Sequence, residues 1–253
     1  MKILISSDWH LDAVTAGVPR ISELETYLEA LEAAIKEQHI DAVILGGDYF
    51  DPGGMRAHEL TTLLIRAVAR LARVVDHVIV IAGNHDVVET SEGWTTLSPL
   101  RAAVEFGHAM GNHVPIVAER PGFHLLTHEF HHPNRVGILA LPYTSRAVNA
   151  SEDLRQALAH AKNFGGKLVV IGHMTVPGAV LGSESKEMAR GRDLELPIES
   201  LRELRPRYIF NGHYHRAQIV QGGAVPVVIP GSPWRVTFGE SNDLHKGFLV
   251  VEV

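Results

Sequence analysis

The chain contains no cysteine, so neither a disulfide framework nor a thiolate metal site is open to it, and any bound metal must use His, carboxylate or amide ligands. No stretch approaches the ~20 apolar residues that span a bilayer, and Met1 to Ser7 is too short for a secretory leader. A soluble, cytoplasmic protein without a membrane partner is the expectation. Positive charge is also short. Lys and Arg number 23 against 29 Asp and Glu, and the net charge of −6 is a poor match to a surface that collects nucleic acid through basic side chains. There is no internal repeat, low-complexity tract or charge run long enough to be a disordered arm. What the chain does have is histidine, 16 residues in all, several of them directly after Gly, a pattern that points toward metal or acid/base chemistry.

With 253 residues and 45% apolar content the chain can bury the core of one large α/β domain, and a single domain over 1–253 is expected. Short β-branched or apolar runs predict strands at Ile3–Ser6, Ala42–Leu45, Val78–Ala82, Val136–Leu141, Leu168–Ile171, Tyr208–Phe210, Val225–Ile229 and Phe248–Val253. Helical spacing of Leu24, Leu28, Leu31 and Ile35 predicts a helix over Ser22–Gln38. Leu60, Leu64, Ala67, Val68 and Leu71 predict another over His58–Val75, and Ser151–Lys162 reads as a third. Alternation of β and α in the first half argues for a layered α/β architecture, and the close strands after residue 207 read as an antiparallel tail, so the sheet should be mixed. Gly178 to Pro197 reads as a long loop beside the site.

Five predicted strands end in polar residues, which places those residues on the rim where open α/β sheets bind ligands. They are Asp8-Trp9-His10, Gly47-Asp48-Tyr49-Phe50-Asp51, Gly83-Asn84-His85-Asp86, Gly172-His173 and Gly212-His213-Tyr214-His215. Each alone is weak, since Asp-x-His and Gly-His arise by chance in many chains. Five in order, each at a strand terminus, are a poor accident for residues needed only for solubility. Mixed imidazole and carboxylate donors suit Mn, Fe or Zn, whereas Mg or Ca would call for oxygen donors throughout. Two-metal hydrolases hold their ions about 3.5–4 Å apart, within the span of one carboxylate, and Asp48 is the candidate bridge. Asp51 and Asp86 read as acceptors behind the ligands rather than as ligands. His128, His131 and His132 lie in a polar turn and read as solvated, while Trp9 and Phe50 read as packing walls of the site.

In order and spacing these pieces resemble the calcineurin-like metallophosphoesterase superfamily over nearly the whole chain. The resemblance implies a four-layer α/β/β/α sandwich with two mixed sheets and two divalent metal ions. One ion would be held by Asp8, His10, Asp48 and His215, the other by Asp48, Asn84, His173 and His213. It also implies that His85 contacts the scissile phosphate and protonates the leaving oxygen, with Asp86 orienting it.

Further motifs are similar to the SbcD-type DNA exonucleases. They include Leu141-Pro142-Tyr143, Gly172-His173-Met174 running to Gly178-Ala179 and Gly182-Ser183-Glu184, and Gly212 to Gln218. Pro230-Gly231-Ser232-Pro233, Phe238, Glu240 and Lys246-Gly247-Phe248 complete the set. The resemblance implies a phosphodiesterase acting on DNA and an SbcC-type ATPase or a second copy of the chain as partner. Those nucleases usually continue into a capping region and a helix pair, whereas this sequence stops at Val253, and a bare catalytic domain without a separate capping domain is the expectation. The charge departs too, since adding two dications and a hydroxide to −6 leaves −3. Arg190, Arg192, Arg216 and Arg235 are expected near the rim, and Arg216 and Arg235 are the candidates to hold substrate phosphates. A small-molecule phosphodiesterase, for example on cyclic nucleotides, or a general phosphatase of the same superfamily suits the charge better and stands as the alternative.

Overall fold

The computed structural model describes residues 1–50, 57–87, 95–110, 114–126, 135–143, 152–181, 195–221 and 224–253. Asp51, the His128, His131 and His132 cluster, Arg190, Arg192, Gly182-Ser183-Glu184 and most of the predicted loop Gly178 to Pro197 lie outside the described residues.

Two sheets lie face to face. The first runs β13 (Leu249–Glu252), β1 (Lys2–Ser6), β4 (Ala42–Leu45), β5 (His77–Ile81), β6 (Ile116–Ala118), with only the β13–β1 pair antiparallel. The second runs β11 (Gln218–Val220), β12 (Val227–Ile229), β10 (Tyr208–Asn211), β9 (Lys167–Gly172), β8 (Val136–Leu141), β7 (Gly122–Leu125), with parallel pairs in the middle and an antiparallel strand at each edge. A small hairpin, β2 (Val14–Thr15) with β3 (Val18–Pro19), stands apart.

The period-2 alternation of each strand explains the layering. Ile3, Ile5, Ala42, Ile44, Ile79 and Ile81 point between the sheets, where they meet Ile138, Ala140, Val169, Ile171 and Phe210. Their neighbours Leu4, Val43, Leu45, Val78 and Val80 point the other way, onto α1 (Leu24–Gln38) and α2 (Ala57–Leu71). Across the molecule Leu139, Leu141, Leu168, Val170 and Ile209 face away from the middle layer, onto α4 (Glu152–Lys162) and α5 (Ile198–Glu203). Apolar layers on both faces of both sheets make the predicted four-layer sandwich, and they explain why the strands read as continuous apolar runs. Helix α1 presents Leu24, Leu28, Leu31 and Ile35 to the core and ends at His39, whose left-handed φ of 54° stops it.

The predicted antiparallel tail needs correction. Strand β10 pairs in parallel with both β9 and β12, and of the described strands after residue 207 only β11 and β13 run against their neighbours. The chain leaves β10, passes to the sheet edge as β11 and returns to insert β12 beside β10. This buries Val227 and Ile229 and leaves the half-polar β11, with Ile219 exposed, at the edge. Helix α3 (Ser98–Ala109) and the short β2, β3, β6, β7, β11 and α5 lie where no element was predicted. Trp9 and Phe50 are fully buried in the layer between the first sheet and its helices, where Trp9 donates to Ser6 Oγ at 2.8 Å and meets Tyr27 and Tyr49 edge-on. Neither is free to stack on a base.

Candidate metal centre

The loops after β1 and β4 run side by side. The main-chain N–H of Asp8 donates to Gly47 O (2.9 Å), that of His10 to Asp48 O (3.1 Å) and that of Leu11 to Tyr49 O (2.8 Å). Past the strand ends the backbone kinks. Asp8, His10, Asp48 and His213 all take left-handed conformations, with φ of 57°, 40°, 55° and 78°. For residues other than Gly such conformations cost of order 1 kcal/mol or more each and persist only where the surroundings impose them, which is common at functional sites. Gly47, with φ of 99°, sits so close to its neighbours that a Cβ there would lie 2.6 Å from His173 Nδ1 and 2.7 Å from Gly83 N.

Two donor clusters result. Asp8, His10 and His215 form one, and Asp48, His173 and His213 the other, each with its ligand atoms within 4.8 Å of one another and all buried. His10 Nε2 and His215 Nε2 face each other at 3.1 Å. In the second cluster, Asn84 Oδ1 lies 3.1 Å from His173 Nε2 and 2.8 Å from His213 Nδ1, and His173 Nε2 lies 3.1 Å from Asp48 Oδ2. Donors arrayed around one ion at ~2.1 Å stand roughly 3–3.4 Å apart, so this spacing fits. The same Asp48 Oδ2 also lies 3.9 Å from His10 Nε2, between the clusters.

The imidazoles are aimed from behind. His173 Nδ1 donates to Gly46 O at 2.6 Å and His215 Nδ1 to Glu240 Oε1 at 2.9 Å, which leaves Nε2 of each turned inward. Asp8 Oδ1 accepts the N–H of His213 at 2.9 Å, while its buried Oδ2 accepts no hydrogen bond from the described residues. An ionised oxygen without a donor is costly in a protein interior unless a cation meets it. Burial, with the nearby His173, pushes the His213 ring down to about 3, which keeps it neutral. For His173 burial acts downward, but the Asp48 carboxylate overrides it and raises the ring to about 9. Burial would raise Asp48, yet His173, His85 and His10 hold it well below the usual carboxylate range. One carboxylate amid imidazoles is the donor set expected of a cation site, and the residues fit two divalent ions.

All seven predicted ligands therefore converge. Asn84 and His85 are half-buried where the others are buried, so the centre opens on their side. His85 is tied by its main-chain N–H to Asp48 Oδ1 at 2.9 Å, and its ring centroid is 5.1 Å from that of His10. Asp86 is fully buried and gathers main-chain N–H groups: Asp48 and Gly83 at 2.8 Å and Tyr49 at 3.2 Å, together with the Thr96 hydroxyl at 3.1 Å. Burial, and then the charge of Asp48, push Asp86 up to about 7. Arg216 is exposed, with Nε 3.9 Å from Asp243 Oδ1. Arg235 is exposed too and donates to the carbonyls of Glu240 (3.3 Å) and Asp243 (3.1 Å).

Sequence reasoning gave Glu240 no role beyond a shared tail motif. It is 1% exposed and joins four groups: His215 Nδ1, Lys246 Nζ at 2.6 Å, the N–H of Val236 at 3.2 Å and Ser232 Oγ at 3.5 Å. A Glu in a Gly-rich turn looks solvated, and the resemblance of Phe238, Glu240 and Lys246 to the nuclease tail was the available signal.

The calcineurin-like phosphoesterase family matches residues 1–217 of this chain. The chain belongs to that family. Members use a dinuclear metal site, and this chain carries two His/Asp clusters that could each hold a metal ion. The chain is therefore a metal-dependent phosphoesterase. It is 30% identical over 255 residues to the SbcD component of the nuclease SbcCD from Escherichia coli (strain K12), a match covering 95% of this chain and 62% of that protein. To the SbcD component from Bacillus subtilis (strain 168) it is 27% identical, covering 95% and 63%. The chain thus spans under two thirds of the length of these relatives. Among solved structures, a dimetal phosphatase from Danio rerio superposes with a TM-score of 0.57 at 12% identity, covering 99% of this chain and 91% of that one. The phosphopantetheinyl hydrolase from Mycobacterium tuberculosis gives 0.56 at 13% identity, covering 99% and 95%. At such identities they bear on fold alone. No helix among the described residues is long and apolar enough to cross a membrane.

Proposed function

We propose that this phosphoesterase is a two-metal phosphodiesterase acting on DNA, with Mn²⁺ as the favoured ion and Fe or Zn also suited. An SbcC-type ATPase and a second copy of the chain are its proposed partners. The observation that carries the two-metal reading is Asp48 Oδ2, placed 3.1 Å from a nitrogen of one cluster and 3.9 Å from a nitrogen of the other. Asp8, His10, Asp48 and His215 would hold one ion and Asp48, Asn84, His173 and His213 the other, and two divalent ions so held would supply Lewis-acid stabilisation of the phosphodiester and lower the pKa of an attacking water.

The chain's own residues do the rest. His85, on the open side, holds a proton toward the leaving oxygen. Asp86 places His85 by fixing the loop that carries it, since its carboxylate gathers the amides of Gly83, Asp48 and Tyr49. Arg216 and Arg235 hold flanking phosphates. The DNA assignment draws on the SbcD relatives, which are named as parts of a nuclease. The net charge of −6 favours a second reading, a small phosphodiester such as a cyclic nucleotide.

The decisive assay incubates the protein with Mn²⁺ and, separately, linear double-stranded DNA, single-stranded DNA, a cyclic nucleotide and an aryl phosphodiester. DNA cleavage at rates above those on the cyclic nucleotide is expected. Turnover of the small diesters with DNA left intact would overturn the DNA assignment.

A further inference from the structure

Helix α3 and strand β6 carry none of the candidate ligands, yet both are tied to the turn that bears His85. The segment that opens α3 is laid against residues 84–87. Val87 and Thr95 form an antiparallel bridge, the main-chain N–H of Thr96 donates to Asp86 O at 2.8 Å, and Thr96 Oγ1 donates to Asp86 Oδ1 at 3.1 Å. The Asp86 carboxylate thus receives main-chain N–H groups from Asp48, Tyr49 and Gly83 and one hydroxyl from outside the ligand loops. Within the turn the main-chain hydrogen bonds are long, 3.3 Å from Asp86 N to Gly83 O and 3.4 Å from Val87 N to Asn84 O. The turn is therefore held by what it is tied to more than by its own bonds.

The start of α3 is anchored in its turn. Glu119, the residue after β6, has a side chain 5% exposed. Its Oε1 accepts the Thr95 hydroxyl and, at 3.0 Å, the Ser98 hydroxyl, and Arg101 Nε stands 3.0 Å from Oε2. Each hydroxyl also accepts a main-chain N–H at 3.0 Å, Thr95 Oγ1 that of Leu97 and Ser98 Oγ that of Thr95. One carboxylate so fixes the residues on both sides of Thr96. Strand β6 is joined to the approach to His85 as well, since Ala82 N donates to Ala118 O at 3.1 Å. These polar side chains do not serve the helix end in the usual way, because α3 has no side-chain N-cap hydrogen bond. They are turned toward Glu119 and Asp86 instead. A general acid must stand within about 2.6–3.2 Å of the oxygen it serves, and a misplacement of about 1 Å can cost on the order of 10²-fold in rate. His85 is half-buried, so close packing on all sides does not fix it, and the placing of its turn matters.

We infer that Thr96 and Glu119 are positioning residues for the reaction. Glu119 holds the start of α3, and Thr96 on that segment holds Asp86 and with it the turn that aims His85. The inference rests on the reading of His85 as proton donor to the leaving oxygen and extends its support to the edge strand of the first sheet.

The test compares turnover by the Mn²⁺-loaded full chain of bis(p-nitrophenyl) phosphate and diphenyl phosphate, diesters alike except for the nitro groups. When the P–O bond breaks, its electron pair goes to the leaving oxygen. A nitrophenolate carries that charge unaided, whereas a phenolate gains from the proton of His85. His85→Ala sets the scale by lowering the phenyl-to-nitrophenyl ratio of kcat. Thr96→Val and Glu119→Ala should each lower the same ratio about tenfold, with KM and metal content by mass spectrometry unchanged, and Thr96→Ser should restore it. Adding Thr96→Val to His85→Ala should lower the ratio no further, because Thr96 acts through His85. An equal fall on both diesters, or loss of metal, overturns the inference, since either marks damage to the ligand loops. An unaltered ratio in Thr96→Val, where His85→Ala lowers it, overturns the inference and leaves the His85 reading standing. If His85→Ala leaves the ratio unchanged, or the wild type turns over no diphenyl phosphate, the His85 reading fails and the inference falls with it.

Discussion

His85 differs from every imidazole around it. His10, His173, His213 and His215 are buried with a ring nitrogen turned toward a carboxylate or another ligand, whereas His85 is half-buried and attached to Asp48 through its main chain. His85→Ala should therefore lower kcat by roughly 10²–10⁴-fold while both ions stay bound. Turnover within a few-fold of wild type, with metal content checked by mass spectrometry, would remove His85 from the chemistry. Glu240 makes the opposite prediction. Its carboxylate fixes the direction of His215, so Glu240→Gln should weaken binding of one ion by about 10–100-fold, measured by calorimetric titration of metal-free protein. Wild-type affinity for both ions would show that the Glu240 to His215 contact is incidental.

At the scale of elements, the kinked loops matter more than the strands they follow. Strands β1, β4, β5, β9 and β10 are legible because each is a short apolar run ending in Gly or a polar residue, and their bounds fall within a residue or so of expectation. Helix α3 was not legible, since Pro99 and Gly107 interrupt its pattern and few of its residues are buried. Strand β12 was expected, at Val225–Ile229, but its parallel pairing with β10 was not legible, because it depends on β11 having taken the sheet edge first. Ile44, fully buried on β4, shows what alternation implies for stability, since its side chain lies in the layer between the sheets. Ile44→Ala should cost about 2–5 kcal/mol in urea unfolding. A loss below about 1 kcal/mol would mean that the sheets do not pack on each other at this strand.

For the whole molecule, the metal centre joins the two sheets. Asp8, His10, Asp48 and Asn84 follow strands of the first sheet, and His173, His213 and His215 follow strands of the second. Ions bound there act as a clamp across the middle layer, so chelation should destabilise the entire fold rather than one loop. A ligand at about 100 times its Kd stabilises by about 2.7 kcal/mol, and removing the ions should lower Tm by several degrees in a chelator-dependent scan. An unchanged Tm after verified metal removal would argue that the sheets are locked together without them.

The candidate ligands, their order along the chain and their place at strand ends are local properties, carried by Gly and polar residues that follow apolar runs. They were readable before any fold was known. Which ligands share an ion was implied only by resemblance, and in the structure it depends on the second sheet laying His213 and His215 over Asp8 and Asp48. Those contacts span 205 residues of chain for Asp8 with His213 and 127 for Gly46 with His173. The role of Glu240 was likewise decided in three dimensions. A carboxylate's burial depends on which side chains close over it, and here Lys246, Ser232 and His215 do so, whereas the sequence shows only a Glu in a turn.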